Sequence, residues 1–171
     1  MKKNFKEQLS QVKGFVFDVD GVFTNGSLFL LPGGEQARQM NVRDGFAIKY
    51  AAEAGYPIGI ISGGEDEPVR WRFKNLGISN IYLASTDKEL DFADFIEKNK
   101  IEAKDILYMG DDIPDLNVMR KVGVPTCPAD ADSDIKAISA YISDKKGGAG
   151  CVRDVIEQVL RAQGNWITQK L

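Results

Sequence analysis

Short apolar runs alternate with amphipathic helical segments along most of the chain. The runs are FVFDV, PIGIIS, IYLA, DILYMG and VPTC, at 15–19, 57–62, 81–84, 105–110 and 124–127. Runs of this length between helices are typical of strands in a parallel sheet that helices cover on both faces. The run AYIS, at 140–143, predicts a further strand at the sheet edge. We therefore predict an α/β fold built on a doubly wound, Rossmann-like parallel sheet.

Six helices are predicted between and after these strands. In the first of them, Asp44 is expected near the N-cap and Gly55 ends the helix. The 171 residues suit a single domain covering 1–171. The predicted helical segments are DGFAIKYAAEAG (44–55), EPVRWRFKNLG (67–77), DKELDFADFIEKNK (87–100), IPDLNVMRKVG (113–123), ADSDIKAISA (131–140) and GCVRDVIEQVLRAQG (150–164).

A β-hairpin insertion is predicted at about 27–42, with its turn at Pro32, Gly33 and Gly34. Its first strand carries the apolar residues Leu28, Phe29, Leu30 and Leu31 in succession. Side chains alternate between the two faces of a strand, so this run presents an apolar surface on both faces. An insertion that is apolar on both faces predicts a buried interface between subunits.

Composition excludes several kinds of function. The chain has no histidine, so it cannot form a Ser–His nucleophile or a His-ligated zinc site. Its net charge is −3 with scattered basic residues, which argues against a nucleic-acid partner. The two cysteines, Cys127 and Cys151, form no CxxC pair or disulfide framework. No apolar run is long enough for a membrane span or a secretion signal, so we expect no membrane partner and a cytoplasmic location.

Polar side chains follow three of the predicted strands, at the edge where parallel sheets bind ligands. Asp18 and Asp20 end the first strand, Ser62 ends the second, and Asp111 and Asp112 follow the strand DILYMG. Lys88 begins a helix after another strand. Each of these features alone also fits an ordinary turn or helix cap. Their occurrence in this order in one α/β domain favours a shared site.

This set of groups fits phosphoryl transfer through an aspartyl-phosphate. One carboxylate acts as the nucleophile. Another, two residues further along an extended strand, lies on the same side and can protonate the leaving oxygen and later activate water. Asp111 completes a set of oxygen ligands suited to Mg²⁺, and the cation and Lys88 offset the repulsion among the carboxylates. Gly21 permits a sharp turn directly after the pair.

The motifs DVDGVFT, ISG, TDK and GDDIPD resemble the four motifs of the haloacid-dehalogenase superfamily of phosphohydrolases. The short distances between them match its capless branch. The resemblance implies a nucleophile, Asp18, and a general acid and base, Asp20, with Ser62 and Lys88 on the phosphoryl oxygens. It also implies that Mg²⁺ is held by Asp18, the Asp20 carbonyl and Asp111, and that Asp112 and Asp115 support these groups.

Four further segments, NVRDGFAIK, VRWRFKNLGI, GDDIPDLNVMRKVG and GGAGCVRDVIEQVL, resemble superfamily members that release phosphate from an eight-carbon keto-sugar acid used for lipopolysaccharide. The resemblance implies a homotetramer in which the hairpins form a central barrel and a C-terminal tail covers a neighbouring subunit's site. It also implies substrate contacts from Asp20, Asn41, Val42, Arg43, Asp44, Gly45, Lys49, Arg72 and Lys88.

The chain departs from that pattern at two positions. Gly64 and Ala149 stand where many members carry arginine, a residue suited to an anionic sugar acid. Three alternatives stay open from the sequence. They are a phosphatase for a nine-carbon keto-sugar acid phosphate, a phospho-receiver module and an inactive structural subunit. A receiver carries its phospho-acceptor after a later strand and lacks the acid two residues beyond it, so the position of Asp18 and Asp20 disfavours that reading.

Overall fold

Six parallel strands form one sheet in the computed structural model, which describes residues 4–167. Every pair of neighbouring strands in this sheet is parallel. The doubly wound α/β prediction is therefore confirmed, with AYIS as an edge strand. The strands are β1 (Gly14–Phe17), β4 (Ile58–Ile61), β5 (Asn80–Tyr82), β6 (Ile106–Met109), β7 (Val124–Cys127) and β8 (Tyr141–Ile142). Their order across the sheet is β5-β4-β1-β6-β7-β8.

The core lies on both faces of this sheet because alternate side chains of each central strand point to opposite faces. Phe15 and Phe17 belong to one apolar cluster, which includes residues of α2 (Val42–Glu53), α3 (Glu67–Asn75) and α7 (Cys151–Ala162). Val16 belongs to the other cluster, with residues of α4 (Lys88–Asn99), α5 (Leu116–Met119) and α6 (Ser133–Ile138). Burial on both faces explains why these strands are continuously apolar in the sequence.

Three details differ from the predicted helices. Helix α2 begins at Val42 because Asn41, rather than Asp44, is its N-cap and accepts a bond from the Arg43 amide. The segment after the second carboxylate pair is a 3-10 turn, Ile113–Asp115, followed by the single turn of α5. A short helix, α1 (Phe5–Gln8), with a 3-10 turn at Leu9–Gln11, precedes β1 and was not predicted.

The hairpin lies within the predicted insertion and forms a separate two-stranded sheet. Its strands are β2 (Phe29–Leu30) and β3 (Gln36–Ala37), which pair antiparallel. Phe29 is 59% exposed and Leu30 is 78% exposed in the isolated chain. The apolar surface that the sequence predicted is thus uncovered in one subunit, and the subunit interface stays a prediction.

Within residues 4–167, no helix is long and apolar enough to cross a membrane. The C-terminal tail expected to cover a neighbouring site includes residues 168–171, which lie outside the described residues.

Candidate active site

Asp18 is held at the carboxyl end of the central strand by the sheet itself. Its amide donates to the Met109 carbonyl at 3.0 Å, so the parallel ladder continues one residue beyond β1. The chain then turns back, and the Val19 carbonyl accepts the amides of residues 22–24. Gly21 adopts a positive φ of 83° in this turn, and a Cβ there would overlap the Asp111 carboxylate. The turn therefore requires glycine and brings the backbone directly against the site.

The strand order places the other predicted groups beside Asp18. Strands β4 and β6 flank β1, so Ser62 and Asp111 lie on either side of it. Lys88 enters from the first residue of α4. Together they line a cavity of about 790 Å³ with residues from four strand-to-helix connections. The cavity is lined by Asp18, Asp20, Gly26, Ser62, Gly63, Gly64, Ser85, Thr86, Asp87, Lys88, Glu89, Asp111, Asp112, Pro114 and Asn117.

Lys88 joins the candidate nucleophile to a buried carboxylate behind it. Its Nζ lies 3.0 Å from Asp18 Oδ1 and 2.8 Å from Asp115 Oδ1. Burial alone would lower the pKa of Lys88, but the charges of Asp18 and Asp115 outweigh it and raise that pKa above its ordinary value. Lys88 is thus held as a cation that faces the cavity.

Asp115 is fully buried and both of its oxygens are occupied. Oδ1 accepts the Tyr108 hydroxyl at 2.7 Å as well as Lys88, and Oδ2 accepts the Asp111 amide at 3.2 Å. This carboxylate therefore fixes both Lys88 and the backbone of Asp111, the second residue after β6. The supporting role of Asp115 in catalysis stays a prediction. Asp112, by contrast, is exposed and accepts the Ile113 amide.

The carboxylates of Asp18, Asp111 and Asp115 offer oxygens within 4.8 Å of one another. Since Asp115 is already engaged, Asp18 and Asp111 are the better candidates for cation ligands. Burial, with the nearby charge of Asp115, raises the pKa of Asp18 to about 8 and that of Asp111 to about 7. Asp111 Oδ1 is buried without a hydrogen-bond partner. A hard divalent cation would satisfy this oxygen and offset the repulsion, so the residues fit Mg²⁺.

Asp20 lines the same cavity and bonds an arginine from the hairpin. Arg38 Nε donates to Asp20 Oδ1 at 2.7 Å, and Arg38 Nη2 donates to Asp20 Oδ2 at 3.0 Å. The Thr24 hydroxyl also donates to Asp20 Oδ1, at 3.3 Å. Asp20 is therefore held by both oxygens beside Asp18, Ser62 and Lys88.

The predicted substrate-contacting residues other than Asp20 and Lys88 do not line this cavity. Arg43 lines another cleft with Ala149, and Lys49 lies 3.8 Å from Glu53. Arg72 packs over Gly45 and lines a third cleft beside Arg38. Arg43 and Arg72 therefore line different clefts of the described chain. Their roles in substrate binding stay predictions.

The other predicted substrate-contacting residues, at positions 41, 42 and 44, lie at or near the start of α2. Asn41 Nδ2 donates to the Gly148 carbonyl at 3.3 Å, which joins α2 to the glycine-rich loop before α7. Asp44 Oδ1 accepts the Arg153 amide at 2.8 Å, so this carboxylate binds the first turn of α7 rather than that of its own helix. Val42 is exposed.

Arg38, Thr24 and Tyr108 also contribute to the site and were not predicted from the sequence. A single arginine after a hairpin strand belongs to no recognisable sequence motif. Tyr108 fits the apolar pattern of β6 and is not distinguished by it. The one available signal was Gly64, because an absent side chain beside the cavity leaves room for a group from elsewhere in the fold.

Comparison with known proteins places this geometry in a family. No protein-family model matches the chain. The chain is 35% identical over 153 residues to 3-deoxy-D-manno-octulosonate 8-phosphate phosphatase from Escherichia coli K12, covering 90% of this chain and 81% of that protein.

Solved structures agree with the sequence comparison. The Moraxella catarrhalis 3-deoxy-D-manno-octulosonate 8-phosphate phosphatase, in complex with a magnesium ion, a phosphate ion and a KDO molecule, superposes with a TM-score of 0.91 at 33% identity, covering 95% of this chain and 93% of that one. A HAD-superfamily (subfamily III A) hydrolase structure from Legionella pneumophila gives a TM-score of 0.91 at 27% identity, covering 94% and 88%. The chain therefore belongs to the 3-deoxy-D-manno-octulosonate 8-phosphate phosphatase family of the haloacid-dehalogenase superfamily.

Proposed function

We propose that this protein hydrolyses 3-deoxy-D-manno-octulosonate 8-phosphate to the free sugar acid and inorganic phosphate, through an aspartyl-phosphate on Asp18. The observation that carries the proposal is the convergence of Asp18, Ser62, Lys88 and Asp111 in one cavity at the carboxyl edge of the sheet. The name of the Escherichia coli relative, and the phosphate and KDO in the Moraxella catarrhalis structure, support the substrate.

The first half-reaction forms a bond from an Asp18 carboxylate oxygen to phosphorus and breaks the bond from phosphorus to the sugar oxygen. Asp20 gives its proton to that departing oxygen. Ser62 and Lys88 stabilise the charge on the phosphoryl oxygens as it redistributes. Lys88 can do this while it is fixed from behind by Asp115.

The second half-reaction restores the enzyme. Water attacks the phosphorus of the aspartyl-phosphate, its proton goes to Asp20, and the bond from Asp18 to phosphorus breaks to release inorganic phosphate. Asp18 leaves as a carboxylate, and Asp20 is again protonated for the next substrate. Each half-reaction uses the same pair of aspartates in the same places.

Mg²⁺ is the cofactor that we propose, with Asp18, Asp111 and the carbonyl of Asp20 as its protein ligands. When bound it supplies positive charge against the phosphoryl group and the clustered carboxylates. The unpartnered Asp111 oxygen and the raised pKa values of Asp18 and Asp111 support this choice.

The eight-carbon substrate is favoured over the nine-carbon one by the relatives reported above. The absence of side chains at Gly64 and of arginine at Ala149 removes two cations that would otherwise face a sugar carboxylate. We therefore expect a high KM with an ordinary kcat, since distant binding contacts are lost while the phosphoryl site is complete.

A panel of phosphate esters tests the substrate. The assay measures phosphate release with Mg²⁺ from the eight-carbon sugar acid phosphate, its nine-carbon analogue and neutral hexose phosphates. We expect the eight-carbon ester to have the highest kcat/KM, by more than about tenfold over the neutral sugars, which is about 1.4 kcal/mol. An advantage below that value would show that the carboxylate is not recognised and would remove the named substrate.

We also propose that the hairpin forms an oligomer interface, most simply the tetramer that the family resemblance implies. The support is the exposed apolar run at Leu28, Phe29, Leu30 and Leu31, which would be unusual for a surface in contact with water alone. A cytoplasmic location stays a prediction from the sequence.

A further inference from the structure

The hairpin supplies a charged side chain to the catalytic cavity in addition to its apolar surface. Arg38 follows β3 directly, and its side chain is only 7% exposed although it comes from an insertion outside the main sheet. It contacts two carboxylates, those of Asp20 and Asp66. Burying an arginine side chain costs rotamer entropy and desolvation, so a fixed, paired arginine here needs a reason.

The contact between Arg38 and Asp20 fixes the orientation of the Asp20 carboxylate. A guanidinium that donates through Nε and Nη2 to the two oxygens of one carboxylate holds both groups in one plane. Asp66, which precedes α3, holds the guanidinium from its other side. Asp20 consequently has its two oxygens anchored, and Thr24 bonds one of them as well.

The charges around the cavity explain why Asp20 needs an anchor. Its lining carries the carboxylates of Asp18, Asp20, Asp87, Glu89, Asp111 and Asp112 and a single lysine, Lys88. Lys88 already forms ion pairs with Asp18 and Asp115. After Asp20 has given its proton to the leaving oxygen it is a carboxylate, and repulsion from the other carboxylates would then turn it outward toward water; Arg38 opposes this while Asp20 serves as the base for water.

Gly64 makes room for this arrangement. A Cβ at position 64 would lie 3.1 Å from Arg38 Nη2, 3.6 Å from Asp20 Oδ2 and 3.7 Å from Ser62 Oγ. A larger side chain at this position would compete with the guanidinium for the same space. The absence of a side chain at Gly64 therefore leaves the space that the Arg38 guanidinium occupies.

We propose that Arg38 is a positioning residue that acts on the reaction through Asp20, and that Gly64 is the space it requires. This inference rests on the proposed function, because it assumes that Asp20 is the general acid and base. The hairpin then couples any oligomer contact to the chemistry, since the same short segment carries the interface and Arg38.

A double-mutant cycle tests the proposal with the full-length protein and Mg²⁺. Arg38→Met is expected to lower kcat on the eight-carbon sugar acid phosphate by about 10- to 100-fold, the range for lost charge-assisted bonds, with little change in KM. In the Asp20→Asn background the same change is expected to cost less than about threefold, because the group it positions is already gone.

Two further variants keep the test decisive if Arg38→Met does not fold. Arg38→Lys retains the charge without the two-pronged contact and should recover part of kcat. Gly64→Ala leaves both charged partners and crowds Nη2, so it should lower kcat without raising KM. Arg70→Gln is the matched control, because that arginine of α3 bonds Glu67 and the Ile81 carbonyl, away from the cavity. It should leave kcat unchanged.

Three results would overturn the inference. One is an equal fractional loss from Arg38→Met in both backgrounds, which would make Arg38 independent of Asp20. Another is a large rise in KM at constant kcat, which would make it a substrate contact. The third is no loss at all. If instead Asp20→Asn itself retained full activity, the proposed function would fail first, so the two failures are distinguishable.

Discussion

Replacing Asp115 with asparagine tests whether the buried carboxylate behind Lys88 holds the site together. Three donors meet its two oxygens: the Lys88 ammonium at 2.8 Å, the Tyr108 hydroxyl at 2.7 Å and the Asp111 amide at 3.2 Å. An asparagine side chain offers one acceptor oxygen and one NH₂ group. Whichever way the amide turns, at least one of these buried donors then faces another donor.

The size of the effect follows from these contacts. Each buried donor left without an acceptor costs about 1–3 kcal/mol, and the charge of Lys88 loses one of its two counter-charges. Breaking a buried ion pair by removing one partner costs about 3–5 kcal/mol, so we expect the Asp115→Asn variant to lose a free energy of unfolding in this range.

Urea unfolding followed by tryptophan fluorescence measures this loss, since Trp166 is buried. The matched control is Asp112→Asn, which changes an exposed carboxylate three residues earlier that accepts the Ile113 amide. Its expected loss is at most about 1 kcal/mol. A loss below about 1 kcal/mol for Asp115→Asn as well would refute the reasoning, because the three donors would then not depend on that carboxylate.

Three other variants test separate parts of the molecule. Tyr108→Phe removes one donor to Asp115 and should cost about 0.5–1.5 kcal/mol in urea unfolding; no loss would mean that the bond is not formed. Burial raises the pKa of Asp44 from 3.8 to about 6. Between about pH 4 and 6 the folded protein therefore keeps a proton on Asp44 that the unfolded chain has released. The free energy of unfolding should fall as pH rises through this range, by up to about 3 kcal/mol. Asp44→Asn should make this fall smaller by the Asp44 share, while the share from Asp18 and Asp111, whose pKa values are also raised, remains. Parallel pH profiles for the two proteins would contradict this. Leu30→Asp places a charge on the exposed hairpin face and should shift light-scattering mass toward the monomer; an unchanged mass would exclude that face as the interface.

The sequence was sufficient for the sheet because its strands are buried on both faces. Continuous apolar runs such as 106–109 mark central parallel strands, and the polar residues that follow them mark the ligand-binding edge. Asp18, Ser62, Lys88 and Asp111 could thus be grouped before any geometry was known. The strand order then brought them into one cavity.

Contacts between distant segments could not be predicted in the same way. Asp44 looked like a cap for its own helix, but it binds the Arg153 amide 109 residues away. Arg38 carried no prediction from the sequence, yet it reaches Asp20 from an insertion. The length of the helix after Asp112 was overestimated because Asp115 turns inward to Lys88, which leaves a 3-10 turn before α5. Each of these three features depends on tertiary packing, which the local sequence pattern does not determine.

The central claim is that phosphate is transferred to Asp18 and then to water. Asp18→Asn preserves the shape of the residue but removes the nucleophilic carboxylate, while Ser62, Lys88 and Asp111 remain. The measurement is the kcat for phosphate release from 3-deoxy-D-manno-octulosonate 8-phosphate with saturating Mg²⁺, for the wild type and for this variant at matched folded concentration. The proposed mechanism predicts a loss of at least about 10³-fold in kcat, because the covalent route is removed. Turnover near the wild-type rate in Asp18→Asn would contradict it.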